Sequence, residues 1–170
     1  MSISETAASE VLVRRLRHED LEPMIALDAR VVGRRRDEFF KLKLKQALSD
    51  TGIEVSLAAE LEGGFAGFLL ARLYYGEFGL VEPVAVLDTI AVRPDLRGRG
   101  VGAALLDQLR TNLLGLGLTC LQTEVGWDSI ELIAFFHREG FRPAQRLCLE
   151  LDLEKSRDRL RQREAAAGPA

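Results

Sequence analysis

The chain reads as an α/β chain of the α+β kind, with a mixed, mostly antiparallel central sheet flanked by helices. Three observations predict it. Short apolar runs of strand length alternate with segments whose apolar residues recur at helical spacing. The sequence Glu62, Gly63, Gly64 supplies a hairpin turn between two of those runs. A glycine-rich segment, Arg97 to Gly102, then leads from an apolar strand into a helix.

In order, a strand is expected over residues 11–16, helices over 19–30 and 37–48, and a second strand over 55–60. Residues 65–74 make the strand after the hairpin, a glycine-interrupted loop runs through Pro83, and residues 84–92 return antiparallel. Pro94 ends that strand, because it has no N–H for a further ladder bond and biases Arg93 away from helical angles. A helix follows over 100–114, where Ala103, Ala104, Leu105 and Leu106 resume helical spacing, and Gly115 and Gly117 stop it. A strand over 119–125, a helix over 129–139 and a last strand over 147–153 complete the order β-α-α-β-β-β-α-β-α-β. No internal repeat is visible. The expected organisation is a loose polar leader (1–10), one folded domain (11–153) and a charged tail (154–170) that is a frayed helix or a support for a homodimer.

Composition narrows the function classes. A chain of 170 residues, 47% apolar, can bury a sizeable core, and no apolar run approaches the ~18 residues that suggest a membrane span. The polar leader has no secretory pattern, so a cytoplasmic location is expected. With 23 basic against 26 acidic residues, net charge −3, there is no electrostatic footprint for nucleic acid. Cys120 and Cys148 lie in apolar strand-like runs at a spacing that suggests no metal, which predicts reduced, buried thiols.

The segment 87–106, L-D-T-I-A-V-R-P-D-L-R-G-R-G-V-G-A-A-L-L, carries the clearest chemistry. Gly98, Gly100 and Gly102 remove side chains where the backbone would approach a ligand. The helix after them opens on unpaired N–H groups at the positive end of its dipole, with Arg97 and Arg99 beside it. Pyrophosphate fits such a site. A P-loop is excluded because the lysine and hydroxyl it requires are absent, and the alternating glycines do not fit the dinucleotide fingerprint.

What remains resembles the coenzyme A loop of the Gcn5-related N-acetyltransferase (GNAT) superfamily. Its pattern is glutamine or arginine, two residues, glycine, one residue, then glycine or alanine, matched by Arg97, Gly100 and Gly102. Downstream, S-I-E-L-I-A-F-F-H-R-E-G-F is similar to the family's helix closed by Gly-Phe, here Gly140 and Phe141. The resemblance covers residues 11–153. It implies the acyl-CoA N-acyltransferase fold, whose strands before and after the coenzyme helix are parallel and splay apart around the thioester arm. It also implies acetyl-CoA as co-substrate, with no metal. Ile90, Ala91 and Val92 would border the arm and supply an oxyanion N–H. Arg97, Gly98, Arg99, Gly100, Val101, Gly102 and Ala103 would cradle the pyrophosphate. Two departures stand out: Phe136 occupies the position of the usual thiolate-protonating tyrosine, and Ser129 that of the usual asparagine.

Acyl transfer to an amine needs a proton acceptor, because an alkylammonium with a pKa of about 10 is not a nucleophile. Asp88 is the leading candidate. On an ideal strand it shares a face with Val86 and Ile90, and a carboxylate in an apolar run is costly without a reason. Within the resemblance it aligns with a polyamine acetyltransferase glutamate, although other members place the acid at the position of Val86. The alternative is a carboxylate satisfied by backbone donors or by an arginine such as Arg142; Glu82 and Glu124 are weaker acids for the role. His137, Tyr74 and Tyr75 are substitute general acids, each with a plainer reading as surface or rim packing. A covalent route through Cys120 is disfavoured, since nothing beside it activates the thiol.

The resemblance assigns acceptor choice to residues 19–48 and 76–83. Arg34, Arg35, Arg36, Lys41, Lys43 and Lys45 suit an acidic peptide or a phosphorylated or carboxylated small molecule, or are a solvated helix face. Glu77, Glu82 and Asp88 suit a cationic amine instead. The expected partner is thus a small-molecule or peptide amine. A noncatalytic acyl-CoA-binding or sensor domain is the rival reading, and an interaction module without coenzyme affinity is a third, opposed by Arg97, Arg99 and the glycines.

Overall fold

The computed structural model describes residues 10–49, 55–75 and 82–157. The chain divides into two units, Met1–Ile130 and Glu131–Ala170. The first holds a five-stranded sheet in the order β1 (Leu12–Arg15), β2 (Leu57–Leu61), β3 (Gly64–Tyr74), β4 (Val84–Val92) and β5 (Leu121–Thr123). The first four strands pair antiparallel and β4 pairs β5 in parallel. That mixed sheet, flanked by α1 (Leu21–Val32), α2 (Asp37–Ser49) and α3 (Val101–Gly115), is the architecture expected from the sequence.

The faces of the sheet follow from strand alternation. Ala58 of β2 with Phe68 and Leu70 of β3 join Met24, Ile25 and Leu27 of α1 and Phe40 and Leu44 of α2 in one buried cluster. Gly67 of β3 belongs to the opposite face, where a Cβ on it would lie 3.3 Å from Val101 of α3 and 2.7 Å from the carbonyl oxygen of Ala91. Glycine is needed there because the β4 backbone and α3 leave no room for a side chain.

Charged groups fasten the helices to this frame. Asp20, almost fully buried, accepts two hydrogen bonds from the Arg14 guanidinium (2.7 and 2.8 Å) and one from the Arg17 amide (2.8 Å), and Arg14 also pairs with Glu60 of β2. Buried Asp28 of α1 accepts from Arg36 at the start of α2, and the same guanidinium lies over the Phe39 ring at 4.7 Å. These contacts satisfy charges that would be costly to bury alone.

The second unit begins within α4 (Ile130–Arg138), which Gly140 closes at a φ of 90°. The expected strand over 147–153 does not form. Residues 141–152 hold no regular element, and Leu147, Leu149, Leu151 and Leu153 are exposed. The Asp152 carboxylate accepts the amides of Glu154 and Lys155 (3.0 and 3.1 Å), so it caps a helical turn over 153–157 that interrupts the extended run. Apolar alternation identified a strand-like pattern but not a partner to pair with. Both thiols expected to be buried, Cys120 and Cys148, are exposed: Cys120 precedes the three-residue β5 and Cys148 lies in the unpaired run.

Replacing Gly67 with valine should destabilise the protein by about 1–3 kcal/mol, the usual cost of overpacking. Urea unfolding checks this, with Ala66→Gly, also in the core of β3, as a comparison for strand flexibility.

Candidate functional site

Parallel pairing of β4 with β5 runs from Ala85 opposite Leu121 to Leu87 opposite Thr123, and the Thr123 hydroxyl donates to the Leu87 carbonyl at 2.9 Å where it stops. Beyond that bond, residues 88–92 have no partner on the β5 side among the described residues, while Ile90, Ala91 and Val92 remain paired with Leu69, Phe68 and Gly67 of β3. The sheet is therefore open along one edge of β4.

The chain leaves that edge through Arg93 and a single 3₁₀ turn, Pro94–Leu96, into the glycine loop. Gly98 and Gly100 take φ of 78° and 82°, a left-handed conformation disfavoured for residues with a Cβ. Gly100 is the N-cap of α3, and no side chain caps it. The first amides of the helix, starting with Val101, Gly102 and Ala103, have no carbonyl of their own helix to bond. Val101 is buried, Gly102 and Ala103 are half-buried, and Arg97, Gly98, Arg99 and Gly100 are exposed. Arg99 pairs with Glu62 of the β2–β3 turn, so the loop is braced from the hairpin. An open strand edge thus adjoins a helix start that offers donors and positive potential.

Asp88 lies at an irregularity in β4. Thr89 pairs with Leu70 and Leu87 with Ala71, so Asp88 is one extra residue opposite a continuous β3. Cross-strand partners share a face, which puts Val86 (opposite Arg72), Thr89 and Ala91 on the α1/α2 side and Leu87 and Ile90 on the α3 side. The expectation that Asp88 shares a face with both Val86 and Ile90 therefore fails at Ile90: the inserted residue resets the alternation. The Asp88 carboxylate points to α2, where Oδ2 accepts from Lys43 Nζ at 2.8 Å, while Arg72 Nη2 donates to Oδ1 at 2.8 Å. Arg72 Nε lies 2.7 Å from Oδ2, but its N–H is not directed there and finds no acceptor among the described residues.

A cavity of about 300 Å³ borders these three side chains, walled by Gln46 of α2, Ser56 and Leu70, with Tyr75 at its exposed rim. Ser56 helps shape it, its hydroxyl accepting the Ala71 amide (3.1 Å) and donating to the Ala71 carbonyl (3.2 Å).

Other predicted residues are dispersed. Arg142 donates to the carbonyls of His137 and Phe141 within the second unit, and the cations that bond the Asp88 carboxylate are Lys43 and Arg72. Glu82 and Glu124 are exposed, and Glu77 lies outside the described residues. The basic cluster divides: Arg35 pairs with Glu22 and Asp37, Arg36 with Asp28 and Lys41 with Glu38, whereas Lys43 alone of the six lines the cavity. Arg35 holds the exposed Asp37 carboxyl below its usual range. Phe136 and exposed His137 belong to the second unit, where the Phe136 ring packs at a tilt against Phe141, centroids 4.9 Å apart; Ser129 directly precedes α4. Tyr74 lies beside the Arg72 guanidinium at 5.4 Å. Among the described residues no group of three or more His, Cys, Asp or Glu could hold a metal, and no helix is long and apolar enough to cross a membrane.

Sequence reasoning missed Arg72 and the specific role of Lys43. A signal for Arg72 existed, since Phe68, Leu70 and Arg72 alternate on one face of β3, but the fold was needed to bring Lys43 there.

Comparison with known proteins gives a consistent result. The family model described as acetyltransferase (GNAT) family matches residues 14–141. The peptidyl-lysine N-acetyltransferase YjaB of Salmonella typhimurium (strain LT2) is 30% identical over 135 residues, 76% of this chain and 82% of that protein. An aminoglycoside N-acetyltransferase, AAC(6')-Iy, solved in complex with CoA, superposes with a TM-score of 0.72 at 20% identity, covering 85% of this chain and 95% of that one. The ribosomal-protein-alanine N-acetyltransferase of Brucella melitensis biovar Abortus 2308 gives a TM-score of 0.67 at 21% identity over 84% of this chain and 99% of that one.

Because a Cβ at Gly98 or Gly100 would meet nothing within 4 Å, alanine at either position should cost about 1–2 kcal/mol through backbone strain alone. Thermal unfolding should show similar losses for the two variants.

Proposed function

The chain belongs to the acetyltransferase (GNAT) family, and we propose that within it the protein is an acetyl-CoA-dependent N-acetyltransferase acting on a small-molecule or peptide amine. The observation that carries this reading is the open β4 edge running into an uncapped helix start through two left-handed glycines. The relative solved with CoA and the relative named for peptidyl-lysine acetylation support it.

In this reading, amides of Gly98 to Ala103 and the side chains of Arg97 and Arg99 hold the pyrophosphate, and the open edge at Ile90 to Val92 receives the thioester arm. A backbone N–H on that edge stabilises the oxyanion that forms when the amine nitrogen attacks the thioester carbonyl. The ammonium gives its proton to Asp88, directly or through one water, before the new C–N bond forms. Attack leaves the nitrogen cationic; as the tetrahedral intermediate collapses and the C–S bond breaks, the nitrogen releases its second proton to solvent and the departing thiolate takes up a proton. Phe136 has no hydroxyl to supply it, so that proton comes from another side chain or from solvent.

A noncatalytic acyl-CoA sensor is the second reading, favoured by the same phenyl ring and by the two cations already bonded to Asp88. Turnover separates the two.

Calorimetric titration with acetyl-CoA should show binding that Gly100→Glu abolishes and Gly100→Ala weakens less, because only the former adds a repelling carboxylate. In a thiol-release assay with an accepted amine, Asp88→Asn should lower kcat by about 10²–10⁴-fold with acetyl-CoA affinity retained. Binding without release for any amine would favour the sensor; no binding by a folded protein would remove both readings.

A further inference from the structure

Among the described residues, the charges on the Asp88 cavity do not balance. Lys43 and Arg72 line it as cations and Asp88 as an anion, with no other charged side chain among its described lining residues. One positive charge is left over. Lys43 and Asp88 are largely withdrawn from solvent, their side chains retaining 16% and 14% of their accessible area, while Arg72 keeps 38% and reaches the solvent side. An excess cation partly withdrawn from solvent attracts a counter-charge. Arg72 also keeps a buried N–H with no acceptor in line, on a guanidinium whose planar fork matches an oxyanion.

We propose that the amine acceptor is a compact molecule carrying one anionic oxygen group, a carboxylate or a phosphate monoester, bound between Lys43 and Arg72 while its ammonium meets Asp88. This rests on the acetyltransferase reading and adds the substrate class. The arrangement complements a zwitterion: two cations for the anionic group and one carboxylate for the ammonium. The volume of about 300 Å³ sits at the small end of ligand cavities, the scale of an amino acid rather than a folded segment. A polycationic amine would bring its further charges against Lys43 and Arg72 without compensation.

The same geometry links binding to proton transfer. Both Asp88 oxygens accept from cations. An incoming oxyanion competes for Lys43 and Arg72, and each donor it draws away frees an Asp88 lone pair for the ammonium proton. Lys43 and Arg72 would then be positioning residues as well as specificity determinants.

The test is a panel of matched amines assayed by thiol release with acetyl-CoA: histidine against histamine, tyrosine against tyramine, leucine against leucinamide, with O-phosphoethanolamine, spermidine and kanamycin. At least one carboxylate-bearing member should exceed its counterpart lacking the carboxylate at least tenfold in kcat/KM, or O-phosphoethanolamine should exceed every member lacking an anionic group by that factor. Lys43→Gln should raise the favoured member's KM at least tenfold and erase the discrimination, and Lys43→Arg should restore both. Preference for O-phosphoethanolamine assigns the anion to phosphate, and preference for an amino acid assigns it to carboxylate. Faster turnover of spermidine, kanamycin or the members lacking an anionic group than of every anionic member, or an unchanged KM in Lys43→Gln, overturns the proposal. Saturation-transfer NMR on the CoA-saturated protein reads the cavity without chemistry: the anionic members should bind to the parent protein and not to Lys43→Gln. Failure of every anionic member to bind overturns the proposal even where CoA binds. Failure of CoA itself removes the acetyltransferase reading, and the same NMR comparison on the coenzyme-free protein then decides the anion site separately.

Discussion

Strand β4 is under two demands that an ideal strand cannot meet together: continuous pairing with β3 and release from β5 after Leu87. The structure meets both with one inserted residue and one side-chain hydrogen bond. The insertion at Asp88 keeps the β3 ladder intact on either side while changing which residues face which helices. The Thr123 hydroxyl occupies the Leu87 carbonyl where the parallel pairing stops. From these follow the open edge beside the glycine loop, the exit of Asp88 toward α2, and the cavity beside it. Had β4 been regular, a single face could not have carried Val86, Asp88, Thr89 and Ala91 together.

Charge does a second kind of organising. The α1/α2 face is joined to the sheet by an apolar cluster and by carboxylates that each accept from an arginine or lysine of another segment: Asp20 from Arg14, Asp28 from Arg36, Asp88 from Lys43 and Arg72. The first two do not line the Asp88 cavity and act as fasteners. The third faces open volume, and there the cations outnumber the anion. The same chemistry therefore closes one part of the face and leaves another with unspent attraction for a ligand.

Much of the architecture was legible because its signals are local. Helical spacing over 37–48, the hairpin turn at Glu62, the proline that ends β4 and the glycines before α3 all act within a few residues of where they stand. The strand expected over 147–153 failed for the complementary reason: alternation describes one chain segment, whereas a strand requires a neighbour, and the Asp152 cap offers a competing local bond. The Lys43, Arg72 and Asp88 cluster was hidden by the same logic. Its members are 45 and 16 residues apart from Asp88, and the face on which Asp88 emerges depends on an insertion that no periodicity reveals.

Gly67 has a consequence for how the protein would behave in a mutational survey. It carries no functional group, yet a side chain there would press on the Ala91 carbonyl and on Val101, one residue on the open edge and the other at the first turn of α3. Any residue larger than glycine would move the open β4 edge and the start of α3 at once. A survey that ranks positions by lost activity would therefore place Gly67 among the ligand contacts, and only a separate reading of abundance would identify it as the spacer that sets the distance between them.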